Sequence, residues 1–140
     1  MSSMAIILVV LSAVFACALG LHAYKQFNIR RRRRISENEY AVAVTIWEYG
    51  RLVKGEIDDA IRQGACVIDF TKIAIPHSHG YRVSLELTAS YFRVYATPDR
   101  YARTGKLSFV ADDSLTVRAA DRAGEPATPD DPEYKGDSDE

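Results

Sequence analysis

The sequence predicts an α+β protein in which a membrane-spanning helix precedes an amphipathic helix packed on a four-stranded antiparallel sheet. Three observations carry this. Residues Met4 to Tyr24 form one long stretch without a formal charge. Residues 36–63 carry apolar side chains at helical spacing, and after Gly80 the apolar period changes to two. The boundaries that follow are an anchor at 1–24, a basic segment at 25–35, an α+β domain at 36–121 and an acidic, Pro-rich tail at 122–140. At 140 residues the chain has room for one ordinary domain and its appendages.

As a helix, Met4 to Tyr24 (MAIILVVLSAVFACALGLHAY) spans roughly 30 Å, the thickness of a bilayer's hydrocarbon core. It has no polar face with which to join a soluble core. The small residues of Ala16 to Ala18 resemble a cleavage site. The leader Met1-Ser2-Ser3 carries no basic residue, however, and the apolar stretch runs on past that point, so an uncleaved anchor is expected. Ala13, Ala16 and Gly20 recur at spacings of three and four, which lets a neighbouring helix approach closely.

Lys25 and the run Arg30, Arg31, Arg32, Arg33 and Arg34 place six positive charges after the apolar segment, against none before it. That bias predicts an outside N-terminus and a cytoplasmic C-terminal domain. The same side chains are expected at the level of anionic lipid headgroups. One basic run with no interleaved aromatics and no reading motif is a poor nucleic-acid signal, so no nucleic-acid partner is expected. The net charge of −1 agrees.

Ser36 and Glu39 have the spacing of a capping box, and Gly64 is a C-terminal stop, so a second helix is predicted over 36–63; nothing in Lys25 to Ile35 forbids helix, so one long rod with the membrane helix is the alternative. Its apolar positions are Tyr40, Ala43, Ile46/Trp47, Leu52/Val53, Ile57 and Ala60/Ile61, with Trp47 and Tyr49 assigned to core and rim packing. A connector with a short apolar strand near Val67 to Phe70 follows. Tyr81-Val83-Leu85-Leu87 and Phe92-Val94-Ala96 then alternate with polar residues, and a turn at Ala89-Ser90 makes them a hairpin. Residues 106–112 and 115–121 form a second hairpin through Asp113-Ser114. The last segment, with acid and proline throughout, is expected to be extended or disordered.

Chemistry is sparse. There is no nucleophile motif, phosphate loop, HExxH or CxxC, and Cys17 and Cys66 make no disulfide framework. His77 and His79 flank a turn without a third ligand nearby in sequence. No enzyme activity, cofactor or metal is expected.

The C-terminal half resembles a group of bacterial type IV pilin-like proteins over residues 80–132. The matching residues are Gly80-Tyr81, Ala96-Thr97-Pro98, Thr104-Gly105-Lys106, Ser108-Phe109, Asp112-Asp113-Ser114, Val117-Arg118, Gly124, Pro126-Ala127 and Asp131-Pro132. The resemblance implies a pilin-like helix-on-sheet fold in the bacterial inner membrane. Several features depart from it: the leader is not basic and lacks the usual glycine, Met4 to Tyr24 contains no glutamate, Leu115 stands where a turn glycine is usual, and Arg30 to Arg34 directly follow the membrane segment. The expectation is therefore a non-catalytic, single-pass subunit that docks on a membrane-protein partner through its transmembrane helix and its α+β domain. A minor pilin or pseudopilin, able to form a homo-oligomer or filament, is the alternative, and it would place the domain in the periplasm.

Overall fold

The computed structural model describes residues 3–64, 74–76, 79–88 and 90–136, with side chains from residue 15 onward. Its elements are one helix, α1 (Ser3–Arg62), and four strands, β1 (Tyr81–Leu87), β2 (Phe92–Pro98), β3 (Leu107–Asp112) and β4 (Val117–Asp121). Helix on antiparallel sheet is the predicted class.

Of the two arrangements, a separate helix starting at Ser36 and one long rod, the second is found: α1 runs unbroken through residues 25–35, because Lys, Gln and Arg favour helix and no Gly or Pro interrupts them. The capping-box pattern at Ser36 therefore lies inside a helix and starts nothing. Past the last turn, Gly64 adopts φ +65° and its N–H bonds the Ile61 carbonyl at 3.1 Å, so the predicted glycine stop is found. Among the described residues, no helix is long and apolar enough to cross a membrane. The uncharged run begins at Met4, and the side chains of its residues 4–14 lie outside the described part. The chain divides into two compact units, Met1–Arg33 and Arg34–Glu140, with the boundary inside the arginine run.

In the second unit, α1 buries Ile35, Val42, Ala43, Ile46, Tyr49 and Val53, which fall along one face of the helix. This resolves both ambiguous pairs: Ile46 and Val53 face the core, whereas Trp47 and Leu52 are exposed. The sheet is a meander in the order β1-β2-β3-β4, all antiparallel. Tyr81, Val83, Phe92, Val94, Ala96, Phe109, Ala111 and Ala119 meet the helix stripe in one apolar cluster. The predicted alternation holds on β1 and β2. The connector around Val67 to Phe70, with Cys66, His77 and Ala89, falls outside the described residues.

β3 is buried on both faces at its centre, Ser108 and Val110 included, although they point away from α1. The cover comes from the C-terminal segment, which turns at residues 122–125 and 128–131 and packs on the sheet, where an extended or disordered tail is expected from composition. The Ala119 N–H bonds the Pro132 carbonyl at 3.0 Å, and the Tyr134 N–H bonds the Val117 carbonyl at 2.8 Å. Arg118, opposite Val110, donates to the Asp131 carbonyl at 3.2 Å. Asp131, itself buried, accepts from the Arg122 guanidinium and from the Thr128 N–H. The Arg122 hydrogen bond, followed by the backbone donor at Thr128, holds the Asp131 carboxyl below the usual carboxylate range. Prolines 126, 129 and 132 lower the entropy lost when such a strap is fixed, which acidic composition alone does not reveal.

Candidate functional site

Lys25 and Arg30 through Arg34 lie on α1, and all six are exposed. Five consecutive helical residues step about 100° each around the axis and so complete a full turn. The arginines therefore form a collar with no preferred side. A collar suits a planar charged surface met all round the helix better than a groove met from one direction. Ala16 and Gly20 share one face, both are exposed, and a methyl group added at Gly20 would meet nothing within 4 Å. The side chain of Ala13 lies outside the described residues.

A second set of residues, whose pairing has no signal in the sequence, couples α1 to the loop between β2 and β3. Asn38 donates from Nδ2 to the Thr104 carbonyl at 3.0 Å. The Glu39 Oε1 accepts from the N–H groups of Lys106 and Leu107, at 2.7 and 3.1 Å. The glutamate of the capping-box pattern thus does a capping job, but for the start of β3. The loop closes on itself through Ala102 N–H to Gly105 carbonyl at 2.8 Å and Thr104 N–H to Arg100 carbonyl at 3.0 Å.

The Gly80-Tyr81 and Thr104-Gly105 motifs prove to be one packing unit. The Tyr81 ring lies so close to Gly105 that any Cβ there would collide with it, while a Cβ at Gly80 would meet the Thr104 Cγ2 at 2.7 Å. The Tyr81 hydroxyl donates to the Leu107 carbonyl at 2.9 Å. Burial, and then the charge of Glu39, push the Tyr81 hydroxyl far above its ordinary value. Leu115 has a comparable explanation. It holds a left-handed φ of 59°, and its side chain packs where Gly50 leaves room, 3.6 Å from an added Cβ. A glycine in that turn would relieve the backbone and forgo this contact.

No family model, curated protein or solved structure matches the chain.

Two surfaces of the second unit remain. On the outer face of β1 and β2, the hydroxyls of Tyr95 and Tyr91 donate to Glu86 at 2.8 and 3.3 Å, and Arg93 stacks 4.3 Å over Tyr91. Burial, followed by the Glu86 hydrogen bond, raises the Tyr95 hydroxyl. This cluster borders a groove of about 660 Å³ whose far wall is Pro126, Thr128 and Pro129. On α1, Tyr40, Val44 and Trp47 are exposed at spacings of four and three, with Arg51 lying 5.5 Å over the Trp47 ring. Among the described residues, no three of His, Cys, Asp and Glu come together as a metal set. The alternating strands predicted the outer cluster's placement, but nothing local linked Asn38 and Glu39 to a loop more than sixty residues away.

Proposed function

We propose that the chain is a non-catalytic, single-pass membrane protein whose pilin-like α+β domain acts as a structural or docking subunit of a bacterial inner-membrane complex. The observation that carries this reading is the order along α1: an uncharged run from Met4 to Tyr24, then the arginine collar, then a stripe that builds the domain core. Lys25 and the five successive arginines favour a headgroup-level position, because taking each through hydrocarbon costs about 2.5–3.5 kcal/mol even on the lenient insertion scale. Ala16 and Gly20, with Ala13, are the positions at which a partner helix would pack. Trp47 with Arg51, and the tyrosines of the outer face, are residue types enriched where protein surfaces meet.

In this reading the domain faces the cytoplasm. Fusions at the C-terminus test it: β-galactosidase activity without alkaline phosphatase activity is expected, and the reverse result would refute it. Purification in mild detergent tests the subunit role, with a stoichiometric integral-membrane partner as the expected product.

A second reading, a minor pilin or pseudopilin, is supported by the motifs shared over residues 80–132 and by the way Gly80-Tyr81 and Thr104-Gly105 interlock. It requires an exported domain and recovery with sheared filaments, so the same fusions separate the two.

A further inference from the structure

The strap that covers β3 and β4 is tied to them by a compact set of contacts. Its backbone pairs with β4 at Ala119 and Val117, and Glu133 stands opposite Arg118 as an isolated antiparallel bridge. Arg122 holds the Asp131 carboxylate and donates to the Thr128 Oγ1 at 3.1 Å. The Tyr134 ring meets Phe109 edge-on, with centroids 5.2 Å apart. Each of these contacts joins the strap to residues that precede Ala123. The strap also carries its own turn, because the Asp131 N–H bonds the Thr128 carbonyl and the Thr128 N–H bonds the Asp131 carboxylate.

One short turn, Arg122 to Glu125, connects β4 to the strap. The Glu125 N–H closes it on the Arg122 carbonyl at 3.0 Å, and both central residues have positive φ, Ala123 at 52° and Gly124 at 92°. Glycine adopts such angles readily, whereas an alanine is disfavoured there by about five- to thirtyfold. Short hinges under strain are where identical elements exchange between copies of a chain.

We propose that the strap exchanges between two copies of this chain, opening at Ala123-Gly124 so that residues 126–135 of each copy lie on β4 of the other. A second copy is the favoured occupant because the seat already fits this segment. The Arg122–Asp131 ion pair, the two backbone bonds to β4 and the Tyr134–Phe109 contact all re-form between chains. Only the turn differs, and each opened turn releases its strained alanine. The tether sets the threshold. A strap on a short hinge sees its own seat at an effective concentration of about a millimolar. Release of the strain lowers the concentration at which a second copy competes to roughly 30–200 μM. The inference concerns the second unit alone and goes beyond both readings of the membrane segment.

Cross-linking of the full chain in detergent micelles, at roughly 100 μM and so inside that range, tests the proposal. With Cys17 and Cys66 replaced by alanine, one copy carries Arg118→Cys and the other Glu133→Cys, the two positions of the isolated bridge. Mixed and oxidised, the copies should give a disulfide-linked heterodimer on a non-reducing gel. Ala123→Gly in both copies should lower its yield at least fivefold, and Gly124→Ala should raise it, while the circular dichroism of the parent is kept. A single chain with both cysteine substitutions reads the seat itself, and should close within one copy when dilute and between copies when concentrated. A monomeric disulfide at every concentration, with no heterodimer from the mixture, overturns the exchange. So does a heterodimer yield that Ala123→Gly leaves unchanged. A double variant that closes neither way removes the seat, and the proposal falls with it. Equal dimer from the Arg118→Cys copy alone would show β4 edges meeting each other, and also overturn it.

Discussion

Replacing Glu39 with alanine should destabilise the second unit and do so from one identifiable place. Its Oε1 accepts two backbone N–H groups, those of Lys106 and Leu107, at 2.7 and 3.1 Å. Hydrogen bonds to a charged partner are worth about 1.5–3 kcal/mol each. The Lys106 side is exposed and can turn to water, so its bond belongs below that range, whereas Leu107 is half-buried. The expected loss is about 2–3 kcal/mol, a large part of the 5–15 kcal/mol typical of a domain. Glu39→Gln keeps an acceptor and loses the charge, and should cost about half as much. Urea unfolding of the full chain in micelles, followed by circular dichroism, measures the total. Amide exchange localises it: at about 1.4 kcal/mol per decade, the Leu107 amide should exchange about tenfold or more faster in the alanine variant. A loss below about 0.5 kcal/mol with unchanged exchange at both amides would refute the assignment of Glu39 as the cap of β3.

Gly105→Ala forces a methyl group into the Tyr81 ring and should cost at least the 1–3 kcal/mol typical of overpacking, whereas Gly55→Ala, with nothing within 4 Å, should raise stability by about 0.5–1 kcal/mol. Paired melting curves compare them. The raised Tyr81 hydroxyl contributes stability that is whole below pH 10, the unfolded value, and is lost as pH rises above it. Tyr81→Phe should therefore flatten the alkaline limb of a stability–pH profile while lowering stability near neutrality by about 1 kcal/mol for the unpaired Leu107 carbonyl. Asp131 has the opposite sign: its depressed carboxyl stabilises the fold above pH 3.8, the unfolded value, and this is lost as pH falls through the folded one. Asp131→Asn should abolish that acid sensitivity and increase exchange at Ala119 and Tyr134. Replacing all five arginines of the collar with glutamine should loosen or invert the reporter-fusion topology; unchanged topology with weaker lipid binding would make the run a docking patch.

The strands were legible because a period of two is a local signal, and each hairpin has its turn residues in place. The helix phase was half-legible: Ile46 and Trp47, like Leu52 and Val53, are neighbours about 100° apart, and only the sheet decides which one is covered. Continuity through residues 25–35 was open but undecided, because the spacing of Ser36 and Glu39 is the same whether the glutamate caps its own helix or another element. The strap defeated a composition argument. Its acids read as solvated, yet Asp131 is neutralised by Arg122, and the partners that order the segment lie on β4. The candidate contact residues on α1 were visible as a run, whereas the bonds from Asn38 and Glu39 to residues 104–107 join segments more than sixty residues apart and have no local signal.

The strap has a consequence for how copies of the domain behave when crowded. β4 ends the sheet, and an uncovered final strand would present unpaired amides and carbonyls to any second chain, a template for edge-to-edge polymerisation. Here Pro132 and Tyr134 take up the Ala119 amide and the Val117 carbonyl, so these groups on the outer edge of β4 are already paired. The segment works as a selvedge on the sheet: it finishes the edge and gives a further strand little to pair with. A chain cut after Asp121 would keep all four strands and still lose this protection, so aggregation, more than unfolding, is the failure expected of that truncation.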